Sequence, residues 1–208
     1  MNTPKTKVEL DKLLKSTIKS ISSSKENWID YLTFIGRIYK YQSIDQLCIY
    51  SQYPEATAVA TFKQWKSLGR YINKGSTAIR NYKDSQSKIN AELFDAADTS
   101  GPASTQPRLW VYKPEHKEKI LLNLMGENFN PSLSLTENIV EYILDTQNDN
   151  NIENLSKIIY DNNNNISIDE AKEICINLMA ASTAFAVCSR LFLKTPEELQ
   201  NSYIKRQK

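Results

Sequence analysis

Apolar positions along this chain change from helical to strand spacing and back again. They recur every three or four residues over 8–21 and again after Ser24, which predicts two amphipathic helices. Ser43 and Thr61 are residue types that cap helix N-termini, so we expect two shorter helices there, the second ending near Gly69. The first third of the chain is therefore predicted to be helical.

The short helix after Thr61 divides its residues between two sides. Phe62 and Trp65 are three positions apart and are predicted to pack inward. Lys63 and Lys66 share the other side of the helix with Arg70. One side is thus expected to face the core and the other the solvent.

Strand spacing follows this helix. Tyr71–Asn73 and Thr77–Tyr82 flank a Lys-Gly turn, which predicts a β-hairpin, and residues 91–94 and 109–112 predict one or two further short strands. After Pro114 the pattern is helical again, over 115–125, 136–146, 152–160 and a long helix opened by the capping box Ser167-x-x-Glu170.

These elements predict an α+β fold, mostly helical, with a small antiparallel sheet. We expect an N-terminal helical arm over residues 1–24, an α+β region over 25–126, and a helical subdomain over 127–208 that packs on it. The composition, with 208 residues of which 40% are hydrophobic, is typical of a globular protein.

Several features favour a cytoplasmic protein without membrane contact. The N-terminus is Lys-rich and has no apolar signal region, and polar residues interrupt the most apolar segment, 174–193. The three cysteines form no CxxC pair and are predicted to be buried thiols.

Charge is unevenly distributed along the chain. Residues 1–90 carry 15 Lys and Arg against 7 Asp and Glu (+8), whereas residues 91–208 carry 11 against 17 (−6), and the two sums give the net charge of +2. Such an asymmetry is typical of contact with a polyanion, although a run of charges is also an ordinary solvated surface. The basic half is the candidate for binding nucleic acid.

The densest positive charge lies between positions 63 and 83, where six Lys and Arg residues occur without one acid. Tyrosines alternate with these cations, and flat rings beside cations are suited to single-stranded nucleic acid. Arg37 is a further candidate, although a cation near a helix C-terminus is also favoured by the helix dipole. The tyrosines have an equally simple interpretation as packing residues. The candidates from this reasoning are Arg37, Lys63, Lys66, Arg70, Tyr71, Lys74, Gly75, Arg80, Tyr82 and Lys83.

Candidate catalytic chemistry is sparse, and we expect no cofactor. His116 is the only histidine, and the chain has no HExxH, no metal-binding cysteine cluster and no phosphate-binding glycine loop. The acids Glu92, Asp95 and Asp98 form the one candidate metal-dependent nuclease site, with Lys88 nearby. The alternative, which we favour, is that Asp95 and Asp98 end a strand and cap the next turn.

The chain resembles the N-terminal domain of ArdC-type antirestriction proteins over roughly residues 25–112. The resemblance rests on these motifs: Trp28…Tyr39-Lys-Tyr, Gln46-Leu-x-Ile-Tyr-x-Gln52-x-Pro54-x-Ala-Thr57, Trp65-x-x-Leu-Gly-Arg-Tyr-Ile-x-Lys74-Gly75, Phe94-Asp95-x-x-Asp98-Thr99 and Leu109-Trp.

The resemblance implies binding of single-stranded DNA, largely without sequence preference, in antirestriction or conjugative transfer of a mobile element. The family's motif residues correspond here to Gln52, Thr57, Trp65, Gly69, Arg70, Lys74 and Gly75. ArdC proteins continue into a metallopeptidase-like domain with HExxH, which this sequence lacks, so peptidase activity is not expected. Two alternatives stay open: a module that binds a restriction or defence protein, and the N-terminal scaffold of a larger helicase or methylase.

Overall fold

The protein, analysed as a computed structural model, is described over residues 3–83, 88–108, 111–146, 149–162 and 165–193. It forms two compact units, residues 1–110 and 111–208. We had expected the boundary after residue 126. It lies earlier because the first helix after Pro114 packs against the helix that follows Ser134 and so belongs to the second unit.

The first unit is mixed helix and strand. In chain order its elements are α1 (Lys7–Ile21), α2 (Lys25–Arg37), α3 (Ser43–Gln52), β1 (Val59–Thr61), α4 (Phe62–Ser67), β2 (Tyr71–Ile72), β3 (Ile79–Lys83), β4 (Lys88–Asp95) and β5 (Thr99–Ser100). The predicted cap at Thr61 is confirmed, since its hydroxyl accepts the backbone N–H of Gln64, and Ser24 caps α2 in the same way. The predicted cap at Ser43 is wrong: Ser43 is the first residue of α3, and Gln42 before it is the N-cap and makes no side-chain hydrogen bond there.

The strands form two small antiparallel sheets. One has the order β1-β4-β3, and the other pairs β2 with β5. The predicted hairpin between residues 71–73 and 77–82 is therefore wrong. The turn after β2 is hydrogen-bonded to the segment before β5, since the Asn73 N–H donates to the carbonyl of Asp98 at 2.8 Å. β3 pairs with β4 and not with β2.

The other strand predictions had mixed outcomes. The strand over 91–94 is confirmed as part of β4. Of the strand predicted over 109–112, the first two positions lie outside the described residues, and Val111 and Tyr112 are not in a strand.

The core of the first unit consists of two clusters. Phe34, Ile49 and Leu93 belong to the larger one, which joins α2 and α3 to the three-stranded sheet. Leu10 and Leu14 of α1 form the second with Cys48. Because these two leucines are buried, α1 is an integral part of the unit rather than an arm.

The second unit is helical, as predicted. A 3-10 turn (Pro114–His116) leads into α5 (Lys117–Met125), α6 (Leu135–Asp145), α7 (Asp149–Asp161) and α8 (Ile168–Arg190). Leu121, Ile139 and Ala184 are among the residues of its core. By length and composition, α8 is the one described helix that could cross a membrane, but a core helix meets the same criteria, and α8 packs against α6 and α7. The fold class is α+β.

Candidate nucleic-acid interface

Two lysines of the predicted surface are held out to solvent by α4. Lys63 and Lys66 are exposed, and the helix that carries them is fixed at its N-terminus by a capping box between Thr61 and Gln64. Its inward side is anchored by Trp65, which is 2% exposed and donates its indole N–H to the carbonyl of Phe94 at 2.9 Å. Burial of this large ring fixes the orientation of the short helix and so of its lysines.

Three further candidates lie on β2 and the turn after it. Tyr71 is 60% exposed, and Lys74 and Gly75 are also exposed. Gly75 has a φ of +91°, which residues with a side chain rarely adopt, so glycine is required to make this turn. We call the set Lys63, Lys66, Tyr71 and Lys74 the basic face.

The basic face is electrostatically uncompensated within the described part of the chain. The sequence from position 62 to 75 contains no acid, and none of its three lysines pairs with a described acidic side chain within 4.0 Å. Since α4 packs against β2, the lysines and the exposed tyrosine belong to neighbouring elements. The arrangement can bind phosphate groups and stack a ring on a base.

Arg70 does not belong to this face, and its prediction as a phosphate contact is wrong. The side chain is 4% exposed. Its Nε donates to Thr99 Oγ1 at 2.7 Å, and its Nη2 donates to the Thr99 carbonyl at 2.9 Å. Arg70 thus joins the end of α4 to β5, and a phosphate has no access to the guanidinium.

Arg37 and Gln52 are also occupied by the fold. Arg37 donates to the backbone carbonyls of Ala56 and Pro54, each at 2.8 Å. The Gln52 amide donates to the carbonyls of Cys48 and Arg80, and its oxygen accepts the N–H of Arg80 at 2.9 Å. Both side chains are half-buried and join neighbouring segments through backbone groups, and a DNA contact by either stays a prediction.

The candidates on β3 are divided. Arg80 is half-exposed and lies 3.7 Å from the carboxylate of Glu92. Tyr82 is half-buried against the α1 cluster and donates its hydroxyl to Asp11, so its ring is a packing residue rather than a stacking platform. The side chain of Lys83 lies outside the described residues.

Phe62 was missed by the sequence analysis. It was predicted to pack beside Trp65, yet it is 51% exposed. Phe62 is the first residue of α4, where the chain has just left β1, so the i, i+3 spacing does not bring it beside Trp65 in the core. Its ring adds a second exposed aromatic side chain next to Lys63.

The candidate metal site is not formed. The buried Asp95 carboxylate accepts N–H groups from Thr57 at 2.6 Å, Ala58 at 2.9 Å and Ala97 at 2.9 Å. It caps the 3-10 turn that follows β4, as the favoured alternative predicted. In the described ranges, no group of three or more His, Cys, Asp or Glu side chains could hold a metal ion.

Comparison with known proteins agrees with this architecture. The profile of the N-terminal domain of anti-restriction factor ArdC matches residues 9–113. An uncharacterized, plasmid-encoded protein of Bacillus anthracis, pXO2-81, is 33% identical over 86 residues, which cover 38% of this chain and 14% of that protein. No solved structure matches the chain. The matched region is half of the chain, and it contains all the helices and strands of the first unit apart from the first two residues of α1. The chain therefore belongs to the family of ArdC N-terminal domains.

Proposed function

We propose that the protein binds single-stranded DNA through the basic face, largely without sequence preference, as a non-catalytic component of an antirestriction or conjugative-transfer system. The observation that carries the proposal is the exposure of Lys63, Lys66 and Lys74 beside Tyr71, with no acid in the sequence between them. Membership of an antirestriction family supports the biological setting.

The chemistry favours the single strand over the duplex. Lysines bind phosphates of either form, but a protruding ring gains stacking energy only on a base that is not already stacked in a duplex, about 1 to 3 kcal/mol per base. Tyr71 and Phe62 are the two exposed rings next to the lysines. The backbone is recognised by charge and the base by its flat face, so little sequence preference is expected.

A non-catalytic function is supported by the hydrogen bonds of Asp95. Asp95, the central acid of the candidate nuclease site, has its oxygens occupied by three backbone N–H groups. The family match indicates no enzymatic family. The DNA-binding proposal therefore needs no chemical step.

The test is fluorescence anisotropy of labelled single-stranded and duplex oligonucleotides, with and without magnesium, between about 50 and 200 mM salt. The proposal expects tighter binding to the single strand, with log affinity falling linearly with log salt. Equal or tighter binding to the duplex, or binding that is independent of salt, would contradict it.

A second candidate function is binding to a restriction or defence protein through the second unit. The observation that favours it is a set of exposed apolar side chains on its helices, together with the acidic balance of residues 91–208. These side chains are Leu122, Leu124, Leu144, Leu155 and Ile158. A pull-down after nuclease treatment separates the two functions, because only a protein-binding module retains its partner without DNA.

A further inference from the structure

A groove of about 510 Å³ lies in the first unit beside the turn of Lys74 and Gly75. The segment 75–79, which leads from this turn into β3, supplies much of its lining. The end of α3, Leu13 of α1 and Asp98 supply most of the rest. The volume falls within the range of about 300 to 1,000 Å³ that is typical of small-molecule sites.

The lining has the chemistry of a site for a neutral, partly apolar group. The apolar residues Leu13, Ala78 and Ile79 line it together with the hydroxyl-bearing residues Ser76 and Thr77. Among the described lining residues Asp98 alone is charged. A phosphate in the groove would be repelled by this carboxylate, whereas a hydrogen-bond donor would be attracted.

Asp98 carries the one formal charge among the described lining residues, and its carboxylate oxygens are hydrogen-bond acceptors. Its backbone carbonyl is occupied by Asn73 N–H at 2.8 Å and Ser76 Oγ at 3.4 Å. Within the described ranges no side chain or backbone N–H donates to its carboxylate. The Gln52 amide, by contrast, donates both of its N–H groups to backbone carbonyls and accepts one backbone N–H.

Tyr53 supplies a flat ring in the same groove. It is half-buried, and burial together with the nearby carboxylates of Asp95, Asp98 and Glu55 raises the pKa of its hydroxyl. Tyr53 and Asp98 both line the groove. A ring and a free carboxylate in one groove are suited to an aromatic ligand that carries an amino group.

We propose that this groove holds one unstacked base of the bound strand, and that the Asp98 carboxylate accepts a hydrogen bond from the base's exocyclic amino group. The inference rests on the proposed function and modifies one part of it: the base in this groove is selected by its amino group, whereas the rest of the strand is bound without sequence preference. Cytosine offers an amino donor at N4, whereas thymine offers the O4 acceptor at the corresponding position, which a carboxylate repels. Lys74, adjacent to the groove residue Gly75, can bind the neighbouring phosphate.

The test compares anisotropy titrations of oligo-dC and oligo-dT, each about 15 nucleotides long, at neutral pH and matched salt. The wild-type protein is expected to bind oligo-dC about tenfold more tightly, which is within the discrimination of one well-placed pair. Asp98→Asn, whose amide can also donate to O4, is expected to bring the two affinities together. Lys63→Glu is the control, and it should weaken both oligonucleotides by the same factor.

A second variant tests the groove without changing Asp98, in case Asp98→Asn does not fold. Thr77 is exposed and lines the groove, so Thr77→Trp narrows it from the solvent side and should also remove the preference. Equal wild-type affinity for both oligonucleotides, with normal salt dependence, would overturn the groove inference and leave the DNA-binding function intact. Failure to bind either oligonucleotide would overturn both.

Discussion

At the scale of single residues, most of the family motif is used to build the fold. Arg70, Gln52 and Trp65 bind backbone or hydroxyl groups of neighbouring elements, and Asp95 binds the N–H groups of Thr57 and Ala58. A motif made of long polar side chains is easily interpreted as a ligand site. In this structure those side chains replace regular backbone pairing where strands are short.

The structural function of Asp95 can be measured as the stability lost when its carboxylate is removed. Asp95→Ala removes a buried carboxylate and leaves three part-buried N–H groups, of Thr57, Ala58 and Ala97, without their acceptor, so we expect a loss of about 3 kcal/mol in the free energy of unfolding by urea. Glu92→Ala, at an exposed position of the same strand, should change it by no more than about 0.5 kcal/mol. An Asp95→Ala protein of normal stability that had lost magnesium-dependent DNA cleavage would restore the nuclease interpretation.

Arg70 provides the matching test for a buried cation. Arg70→Ala removes hydrogen bonds to both oxygens of Thr99 and should lower the free energy of unfolding by about 3 kcal/mol. Lys66→Ala, on the same segment but exposed, should leave stability within about 0.5 kcal/mol and weaken DNA binding instead. The assignment is wrong if Arg70→Ala is as stable as the wild type and fails to bind DNA.

At the scale of elements, helices were more predictable than strand pairing. Helix periodicity and caps are local, so α1, α2, α4 and α8 could be placed from the sequence. Pairing is not local: Tyr71 pairs with Ser100, and the chemistry of the Lys-Gly turn alone cannot specify that partner. The candidate site shows the same difference between local and distant information. Residue spacing on α4 was enough to predict that Lys63 and Lys66 are exposed. The burial of Arg70 could not be predicted in this way, because it depends on Thr99 of β5, which is distant in sequence.

A hydrogen bond between α1 and β3 makes the stability of the first unit depend on pH. Tyr82 donates its hydroxyl to Asp11, and this hydrogen bond, with Lys7 nearby, lowers the pKa of Asp11. A carboxylate with a lowered pKa in the folded state stabilises the fold above its unfolded pKa, and the contribution is lost as the pH falls through the folded pKa.

We therefore expect Tyr82→Phe to lower the urea midpoint at neutral pH. The gap between the urea midpoints of wild type and variant should begin to shrink below about pH 4, where Asp11 of the unfolded chain is protonated, and should close as the pH falls through the lowered pKa of Asp11 in the folded wild type. Tyr71→Phe, at an exposed tyrosine, is the matched control and should leave the midpoint unchanged at each pH. A gap that stays constant down to low pH would show that Tyr82 acts by packing alone.

At the scale of the whole molecule, the basic and acidic parts of the sequence nearly coincide with the two structural units. The basic residues 1–90 lie within the first unit, and the second unit falls in the acidic part of the chain. This division predicts that polyanion binding is a property of one unit. It also offers a control, since the second unit carries exposed lysines of its own at positions 119, 157 and 172.

The most direct measurement is the salt dependence of single-strand affinity for two triple variants with the same change in net charge. Reversing Lys63, Lys66 and Lys74 to Glu should weaken binding at least tenfold and reduce the log–log salt slope by about 2, the value for three lost phosphate contacts. Reversing Lys119, Lys157 and Lys172 should leave the slope near that of the wild type. Equal losses in both variants would mean that net charge, and not the basic face, accounts for binding, and would contradict the central claim.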